Sequence, residues 1–284
     1  MKQKNKQPFV SVLMTAYNAQ EYIELAIKSI LDQTYKNFEF IIIEDCSKDN
    51  TWKIIKDFAG KDKRINAIKN SENLKAGGSS NKGIPLCKGK YIVRMDADDW
   101  SYPDRIEKQV KYMEENPKIV VSGGSMVVCN ENLEPIGVRP YKQTDEEIRT
   151  VALRLNPIPH PASIWRTETL SKTHLYPTDT GMSEDYALTL EISQFGEMGN
   201  LGDSLIKFRV HSKSISNSKM ALQQKITLQL SRKAEKEYGY RSTFSDKLWR
   251  LLQVITMYTI PSKIKRALLN RLVLDRGLLK TTEI

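Results

Sequence analysis

Two aspartates separated by one small residue, Asp96 and Asp98, are the clearest candidates for chemistry in this chain. In an extended segment, residues two apart point to the same side, so both carboxylates face one space. Carboxylates held that close repel each other unless a cation lies beside them, and their oxygens suit a hard divalent ion such as Mn²⁺ or Mg²⁺. The simpler alternative is an acidic loop that caps a helix predicted from Pro103.

Three other segments carry polar or glycine residues of interest. Tyr17 can stack on a base, Asp45 can accept hydrogen bonds from a ribose or a base N–H, and Gly77 permits close backbone approach to a ligand. Each also has a purely structural interpretation: core packing for Tyr17, helix capping for Asp45 and helix entry for Gly77. Taken singly, the structural interpretation is favoured for each of them.

The elements that would position these residues alternate between short apolar runs and helical repeats. Apolar runs predict strands over residues 9–14, 38–43, 65–68, 91–95, 119–122 and 204–210. Apolar spacing predicts helices over residues 21–31, 51–58, 77–85, 103–115, 146–155 and 184–195. This alternation predicts an α/β fold with a mostly parallel, Rossmann-like sheet flanked by helices. Ligands bind at the carboxyl ends of such strands, where residues 15–17, 44–45, 73–81 and 96–98 lie.

The charge of the chain is concentrated near its end. The 284 residues carry a net charge of +10, and residues 219–284 hold 14 Lys and Arg against 5 Asp and Glu. The remainder is close to neutral, which argues against nucleic-acid binding across the main domain. The sequence shows no signal peptide and no apolar run long enough to span a bilayer, so we expect a cytoplasmic protein. The three cysteines have no metal-binding spacing and are expected to be ordinary thiols.

Residues 218–284 are helical in composition and predict a basic C-terminal extension. One interpretation is a pair of helices packed on the main domain. The other is peripheral contact with the inner face of the plasma membrane, with basic side chains facing anionic lipid. Those side chains would be Lys247, Arg250, Lys263, Lys265, Arg266 and Arg271. The sequence leaves both interpretations open and does not indicate an oligomeric state.

Residues 9–123 resemble the donor half of the family 2 glycosyltransferases, which have the GT-A fold. Five segments match the family in order and spacing, which is more specific than any one of them. They are residues 10–18, 33–39, 44–51, Asn73 followed by 81–84, and 90–99. The resemblance continues more weakly to residue 217, through 160–163, 183–186 and 209–216. We therefore expect a glycosyltransferase domain over residues 1–217, with a donor half at 9–123 and an acceptor half at 124–217.

The resemblance implies a role for individual residues. Asp185 would be the general base, Asp98 and His211 would meet the divalent metal, and Asp96 would contact the ribose. The residues expected to line the nucleotide-sugar site are Thr15, Ala16, Tyr17, Asn18, Asp45, Gly77, Asn81, Met95, Asp96 and Ala97. The implied reaction is inverting transfer of a sugar from a UDP-sugar to a hydroxyl of a glycan or lipid-linked acceptor, in the assembly of a bacterial surface polysaccharide.

Some residues depart from the family pattern. Thr15 stands where proline is common, Cys46 and Lys75 stand where glycine is common, and Glu44 replaces a common aspartate. None of these changes removes a group that the reaction needs. Two alternatives remain open at this point. A sugar nucleotidyltransferase would be expected to carry a glycine-rich basic loop after the first strand, which this chain lacks, and a non-catalytic subunit need not retain all four aspartates.

Overall fold

The structure, a computed structural model, describes residues 7–178, 183–211 and 220–259. Within these residues, nine strands form a single sheet. The strands are β1 Val10–Ala16, β2 Phe38–Glu44, β3 Ile65–Lys69, β4 Tyr91–Asp96, β5 Trp100–Ser101, β6 Ile119–Cys129, β7 Pro135–Arg139, β8 Ile164–Arg166 and β9 Glu197–Arg209.

The sheet has the order β3-β2-β1-β4-β8-β6-β9-β5, with β7 paired to the free part of β6. Strands β1 to β4 are parallel, β8 runs against both β4 and β6, and β9 is parallel to β6. Six strands therefore run in one direction, while β5, β7 and β8 run against it. The predicted α/β fold with a mostly parallel sheet is confirmed.

Helices cover both faces of the sheet. They are α1 Ile23–Leu31, α2 Thr51–Ala59, α3 Lys75–Gly83, α4 Arg105–Glu115, α5 Asp145–Val151, α6 Thr167–Leu170, α7 Glu184–Ile192, α8 Met220–Glu237 and α9 Phe244–Thr259. One core cluster lies between the sheet and α1, α2 and α4. A second lies on the opposite face, against α3, α5 and α7. The central strands are buried on both faces, which is why they read as continuous apolar runs.

The register of the central strands brings three strand ends to one edge of the sheet. β1 pairs with β2 and β4 so that Ala16 lies opposite Glu44 and Thr15 lies opposite Asp96. All three strands run the same way, so the loops that follow them meet at their carboxyl ends. This is the edge at which the sequence predicted the ligand site.

The later half of the sheet contains strands that the sequence did not predict. β5, β7 and β8 have two, five and three residues, which is too short for periodicity to reveal them. β6 continues to Cys129, so the predicted division at residues 123 and 124 falls inside one strand. The predicted donor and acceptor halves thus share a continuous strand.

The helices of the C-terminal extension pack on the main domain. α8 buries Ile226, Leu230 and Ala234 against Tyr186 and Leu190 of α7. α9 is fixed by ion pairs, with Arg154 Nε 2.6 Å from Asp246 Oδ1 and Arg250 bonded to Glu235 of α8. The predicted domain boundary at residues 217 and 218 lies outside the described residues. Among the residues that the structure describes, no helix is both long and apolar enough to cross a membrane.

Candidate active site

Asp45 lies at the carboxyl end of β2 and is buried. Its backbone N–H donates to the Ala16 carbonyl at 2.8 Å. Its Oδ1 accepts hydrogen bonds from the Leu74 N–H at 2.8 Å and from Asn70 Nδ2 at 2.9 Å. The carboxylate therefore holds the loop that leads into α3, a positioning role that the sequence did not reveal. Its predicted contact with the nucleoside stays a prediction.

The loops after β1 and β2 are joined to each other by hydrogen bonds. The Asn18 N–H donates to Ser47 Oγ at 3.0 Å, and Asn18 Oδ1 accepts from the Lys48 N–H at 2.9 Å. Asn18 adopts a left-handed backbone with φ 47°, which asparagine tolerates better than most residues. Tyr17 beside it is 47% exposed, and its predicted stacking on a base stays a prediction.

Two of the departures from the family pattern share an unusual backbone conformation. Cys46 has φ 62° and Lys75 has φ 61°, both in the left-handed region that favours glycine. The common glycine at these positions is therefore explained by the shape of the loops. Cys46 lies in the loop after β2, and Lys75 is the first residue of α3, so both left-handed conformations are present although the usual glycine is absent.

The α3 residues expected at the site also hold a neighbouring segment of protein. A Cβ added to Gly77 would lie 3.1 Å from Glu184 Cγ and 3.3 Å from Tyr176 Cβ, so this glycine allows close packing. Asn81 donates from Nδ2 to the Tyr176 carbonyl at 2.8 Å and accepts from the Tyr176 N–H at 3.0 Å. Both residues thus position Tyr176 and the start of α7. Direct contact of either with a nucleotide stays a prediction.

The carboxylates of Asp96, Asp98 and Asp99 form a cluster after β4, with one oxygen of each within 4.8 Å of the others. Burial raises the pKa of Asp98, and the nearby charge of Asp96 raises it further. Burial also raises the pKa of Asp99, with the charges of Asp98 and Asp96 adding to the effect. A divalent cation with oxygen ligands would offset this repulsion, so the donor set fits Mn²⁺ or Mg²⁺.

His211 is brought to this cluster from the end of β9. Its Nε2 lies 3.0 Å from Asp98 Oδ2. Its ring lies 4.9 Å from the ring of Tyr22, whose hydroxyl donates to Glu131 Oε1 at 2.6 Å. The two residues that the sequence assigned to the metal therefore touch each other, although 113 positions separate them in the chain. Metal binding by this pair stays a prediction.

Asp99 is the third acidic residue of the cluster and was not among the predicted ligands. Its Oδ1 accepts from the Arg209 N–H at 2.9 Å, and Arg209 Nε donates to the Asp98 carbonyl at 2.7 Å. Asp99 Oδ2 is buried and has no hydrogen-bond partner within the described residues. Arg105 is buried beside the cluster, and burial lowers its pKa to about 9, against the favourable charge of Asp99. The hydrogen bonds of Asp98 and Asp99 with Arg209 connect the segment after β4 to the end of β9.

Arg94 is a buried cation under the predicted donor site. Its guanidinium lies 2.8 Å from Asp96 Oδ1, and Nη2 donates to Thr15 Oγ1 at 2.9 Å. A further hydrogen bond goes from Nη1 to the Met95 carbonyl. Thr15 thus replaces the proline common in the family with a side chain that accepts from Arg94. The Met95 and Ala97 side chains are buried, so a ligand would reach these residues through their backbone.

Asp185 lies at the start of α7, where Asn156 Nδ2 donates to its Oδ2 at 3.0 Å. Close by, His160 Nε2 is 2.7 Å from the Tyr176 hydroxyl. Burial lowers the pKa of His160 to about 4, and the charge of Arg94 lowers it further, while Asp185 and Asp96 act in the opposite direction. The charges of Asp185 and Asp96 thus both raise the pKa of His160, and the role of Asp185 as the base stays a prediction.

The structure brings together most of the predicted residues and adds several that sequence reasoning missed. Arg94 had a usable signal, because a charged residue inside a buried strand needs a partner. Asn156 and Tyr176 had none, since each sits in an irregular segment without a motif. They become part of the site only because the chain folds back on the carboxyl edge of the sheet.

Residues 11–185 match the family model described as glycosyl transferase family 2. The chain belongs to glycosyltransferase family 2. A relative in Escherichia coli, the O-antigen biosynthesis glycosyltransferase WbnJ, is 33% identical over 218 residues, which is 75% of this chain and 84% of that protein. This membership confirms the resemblance predicted from the motifs and makes the protein a glycosyltransferase rather than a nucleotidyltransferase.

Solved structures share the fold of this family 2 glycosyltransferase. S. aureus TarS 1–349 in complex with UDP has a TM-score of 0.67 and 17% identity, covering 89% of this chain and 73% of that one. Mannosyltransferase PcManGT from Pyrobaculum calidifontis, in complex with GDP-Man and Mn²⁺, has a TM-score of 0.61 and 14% identity, covering 98% and 89%. At these identities the likeness shows the fold alone, and it confirms the expected GT-A fold.

Proposed function

We propose that this protein transfers a sugar from a UDP-sugar to a hydroxyl of a glycan or lipid-linked acceptor, with inversion and with a divalent metal. The observation that carries the proposal is the meeting of Asp98 with His211 beside Asp96, at the carboxyl edge of the sheet. The O-antigen biosynthesis relative supports a place in surface polysaccharide assembly.

The donor would lie over the loops that follow β1, β2 and β4. Tyr17 offers an exposed ring to the base, and Asp96 faces the ribose while Arg94 fixes its carboxylate. Asp98 and His211 would hold the metal, which when bound stabilises the negative charge of the departing diphosphate. TarS is in complex with UDP, whereas PcManGT is in complex with GDP-Man. The identity of the nucleoside in the donor is therefore tested by experiment.

Asp185 would act as the general base. Its carboxylate is held by Asn156 and is partly accessible at the start of α7. It accepts the proton of the acceptor hydroxyl as that oxygen bonds to the anomeric carbon and the bond to the diphosphate breaks. One displacement from the side opposite the leaving group inverts the anomeric centre.

The metal assignment can be tested by titration calorimetry with UDP, in the presence and absence of Mn²⁺. We expect Mn²⁺ to tighten UDP binding by more than about tenfold, and Asp98→Asn to remove most of that gain. Asp104→Asn is the matched control, because this aspartate lies six positions away, is paired with Lys108 and is solvent-exposed. Equal UDP affinity with and without Mn²⁺ in the wild type would refute the metal-dependent site. GDP in place of UDP tests the choice of nucleoside.

We also propose that α9 contacts the membrane surface. Five apolar side chains at helical spacing are exposed along it: Phe244, Leu248, Leu251, Leu252 and Ile255. Phe244 is 83% exposed and Leu251 is 56% exposed, which is unusual for residues of this size. The opposite face of α9 is held to α8, where Arg250 bonds to Ser231 and Glu235.

The predicted lipid-facing role of Arg250 is therefore wrong, since its guanidinium is engaged within the protein. Lys247 is exposed next to the apolar stripe and fits an anionic surface. The other basic side chains assigned to lipid contact, at positions 263, 265, 266 and 271, lie outside the described residues.

Cosedimentation with vesicles containing anionic lipid tests this surface. The double variant Leu248→Asp/Leu252→Asp should lose most vesicle binding, because two charges would enter the bilayer interface. Leu25→Asp is the matched control, since Leu25 of α1 is exposed to a similar extent, at 47%. Undiminished binding of the double variant would show that α9 is not the contact.

A further inference from the structure

A groove of about 420 Å³ runs along α8, on the side that faces the start of α7. Its floor is apolar and is formed by Leu222, Ile226 and Leu230 of α8. Ile226 and Leu230 continue into the core beneath, while Leu222 is 42% exposed. The volume falls within the range of small-molecule sites, and the apolar floor is continuous over two turns of helix.

The rim of this groove, which we call the α8 groove, is positively charged. Lys225 and Lys233 line it together with Gln229, and none of its lining residues is acidic. Lys225 is exposed and has no ion-pair partner within residues 7–178, 183–211 and 220–259. Lys233 lies 3.9 Å from Glu237 and 5.7 Å from the ring centroid of Tyr238, and its side chain is half exposed. An apolar floor with a cationic rim suits a ligand that carries both a hydrocarbon chain and a phosphate.

The α8 groove reaches α7, the helix that carries the proposed catalytic residue, and the segment before it. Its remaining lining residues are Pro177 and Ala187. Pro177 directly follows Tyr176, which bonds to His160, and Ala187 comes two residues after Asp185 on α7. Residues two apart on a helix do not face the same way, so the groove lies against the α8-facing side of the helix that carries Asp185.

We propose that the α8 groove binds the lipid-phosphate part of a lipid-linked acceptor, an inference that rests on the proposed glycosyl transfer. The hydrocarbon chain lies on Leu222, Ile226 and Leu230, and the phosphate lies against Lys225 and Lys233. A free glycan, by contrast, has no apolar part that would favour this floor over water.

Titration calorimetry with farnesyl phosphate on the full chain tests the groove, with farnesol and inorganic phosphate as separate probes. We expect farnesyl phosphate to bind more tightly than either, because only it uses both the floor and the rim. Lys225→Glu and Lys233→Glu should each weaken it by about fivefold, the size of an exposed charge pair. Leu222→Glu should weaken it as well, and we expect the variant to fold because this side chain is already 42% exposed.

Two controls make the result specific. Lys247→Glu makes the same charge change on α9, outside the groove, and should leave farnesyl phosphate binding unchanged. Leu248→Asp/Leu252→Asp should also leave farnesyl phosphate binding unchanged. If this variant loses binding and the groove variants keep it, the lipid binds to α9 and the proposal is overturned. Wild-type affinity in both lysine variants, or no binding by the wild type, would also overturn it.

UDP binding in the same samples separates this inference from the proposed function. If UDP binds and farnesyl phosphate does not, the α8 groove is not an acceptor site and glycosyl transfer stands. If farnesyl phosphate binds through the two lysines and UDP does not bind, the groove holds a lipid phosphate but the donor assignment fails, and with it the groove's role as an acceptor site.

Discussion

Asp185→Asn is expected to lower the rate of sugar transfer by about 10²- to 10⁴-fold, the range of a general base. Asparagine has nearly the same shape as aspartate but cannot accept the proton of the acceptor hydroxyl at neutral pH. Its side-chain carbonyl can still accept the hydrogen bond that Asn156 donates. The local structure should therefore persist, and UDP binding should be nearly unchanged. The rate of UDP release from the UDP-sugar in the presence of acceptor measures the effect.

The neighbouring acid provides a matched control. Glu184 precedes Asp185 at the start of the same helix, and burial raises its pKa. Its side chain packs against Gly77, so Glu184→Gln removes a nearby charge without touching the proposed base. We expect a much smaller loss of rate than in Asp185→Asn. A transfer rate near that of the wild type in Asp185→Asn would remove this residue from the mechanism.

Arg94→Met is expected to lower the free energy of unfolding by about 3 kcal/mol, as when one partner of a buried ion pair is deleted. The methionine fills part of the space but leaves Thr15 Oγ1 and Asp96 Oδ1 without their cation. Asp96 is about one third exposed, so water recovers part of the loss. The substitution also removes the repulsion between Arg94 and the buried Arg105, which reduces the loss of stability further. We therefore expect a loss at the lower end of the range for buried ion pairs. Urea unfolding measures the change.

Arg64→Met is the control for this stability prediction. Arg64 is paired with Asp62 at 2.7 Å, but both side chains are more than one fifth exposed. Surface pairs of this kind contribute about 1 kcal/mol or less. Arg94→Met should also weaken UDP binding, because Asp96 loses the group that orients it, whereas Arg64→Met should not. Equal stability of the two variants would show that Arg94 is not a buried structural cation.

The central strands could be predicted from the sequence because each is a local property of a few residues. β1, β2 and β4 are buried on both faces, so their residues form continuous apolar runs that end in polar groups. Asp96, Asp98 and Asp99 are neighbours in the chain, so their place after β4 could be predicted without the tertiary structure. Five motifs in order then identified the family, because their spacing follows from the strands and loops that carry them.

The second half of the sheet was harder, because its pairing is long-range. β8 has three residues and is stabilised by β4 on one side and β6 on the other. β9 begins at Glu197, well before the predicted start, with glycines and polar residues that carry no alternating pattern. Strands of this kind exist only because a neighbour is present to accept their hydrogen bonds.

Asp96 and Asp98 were visible in the sequence as a pair of like charges that required a cation. The apolar residues before the pair predicted that it lies at the end of a strand, and the five motifs predicted the family. Tertiary structure alone decided which residues contact the pair: Arg94 lies beside Asp96, and His211 lies beside Asp98. The reason is physical, since these contacts join residues up to 113 positions apart and arise from strand register and burial, which no local pattern encodes.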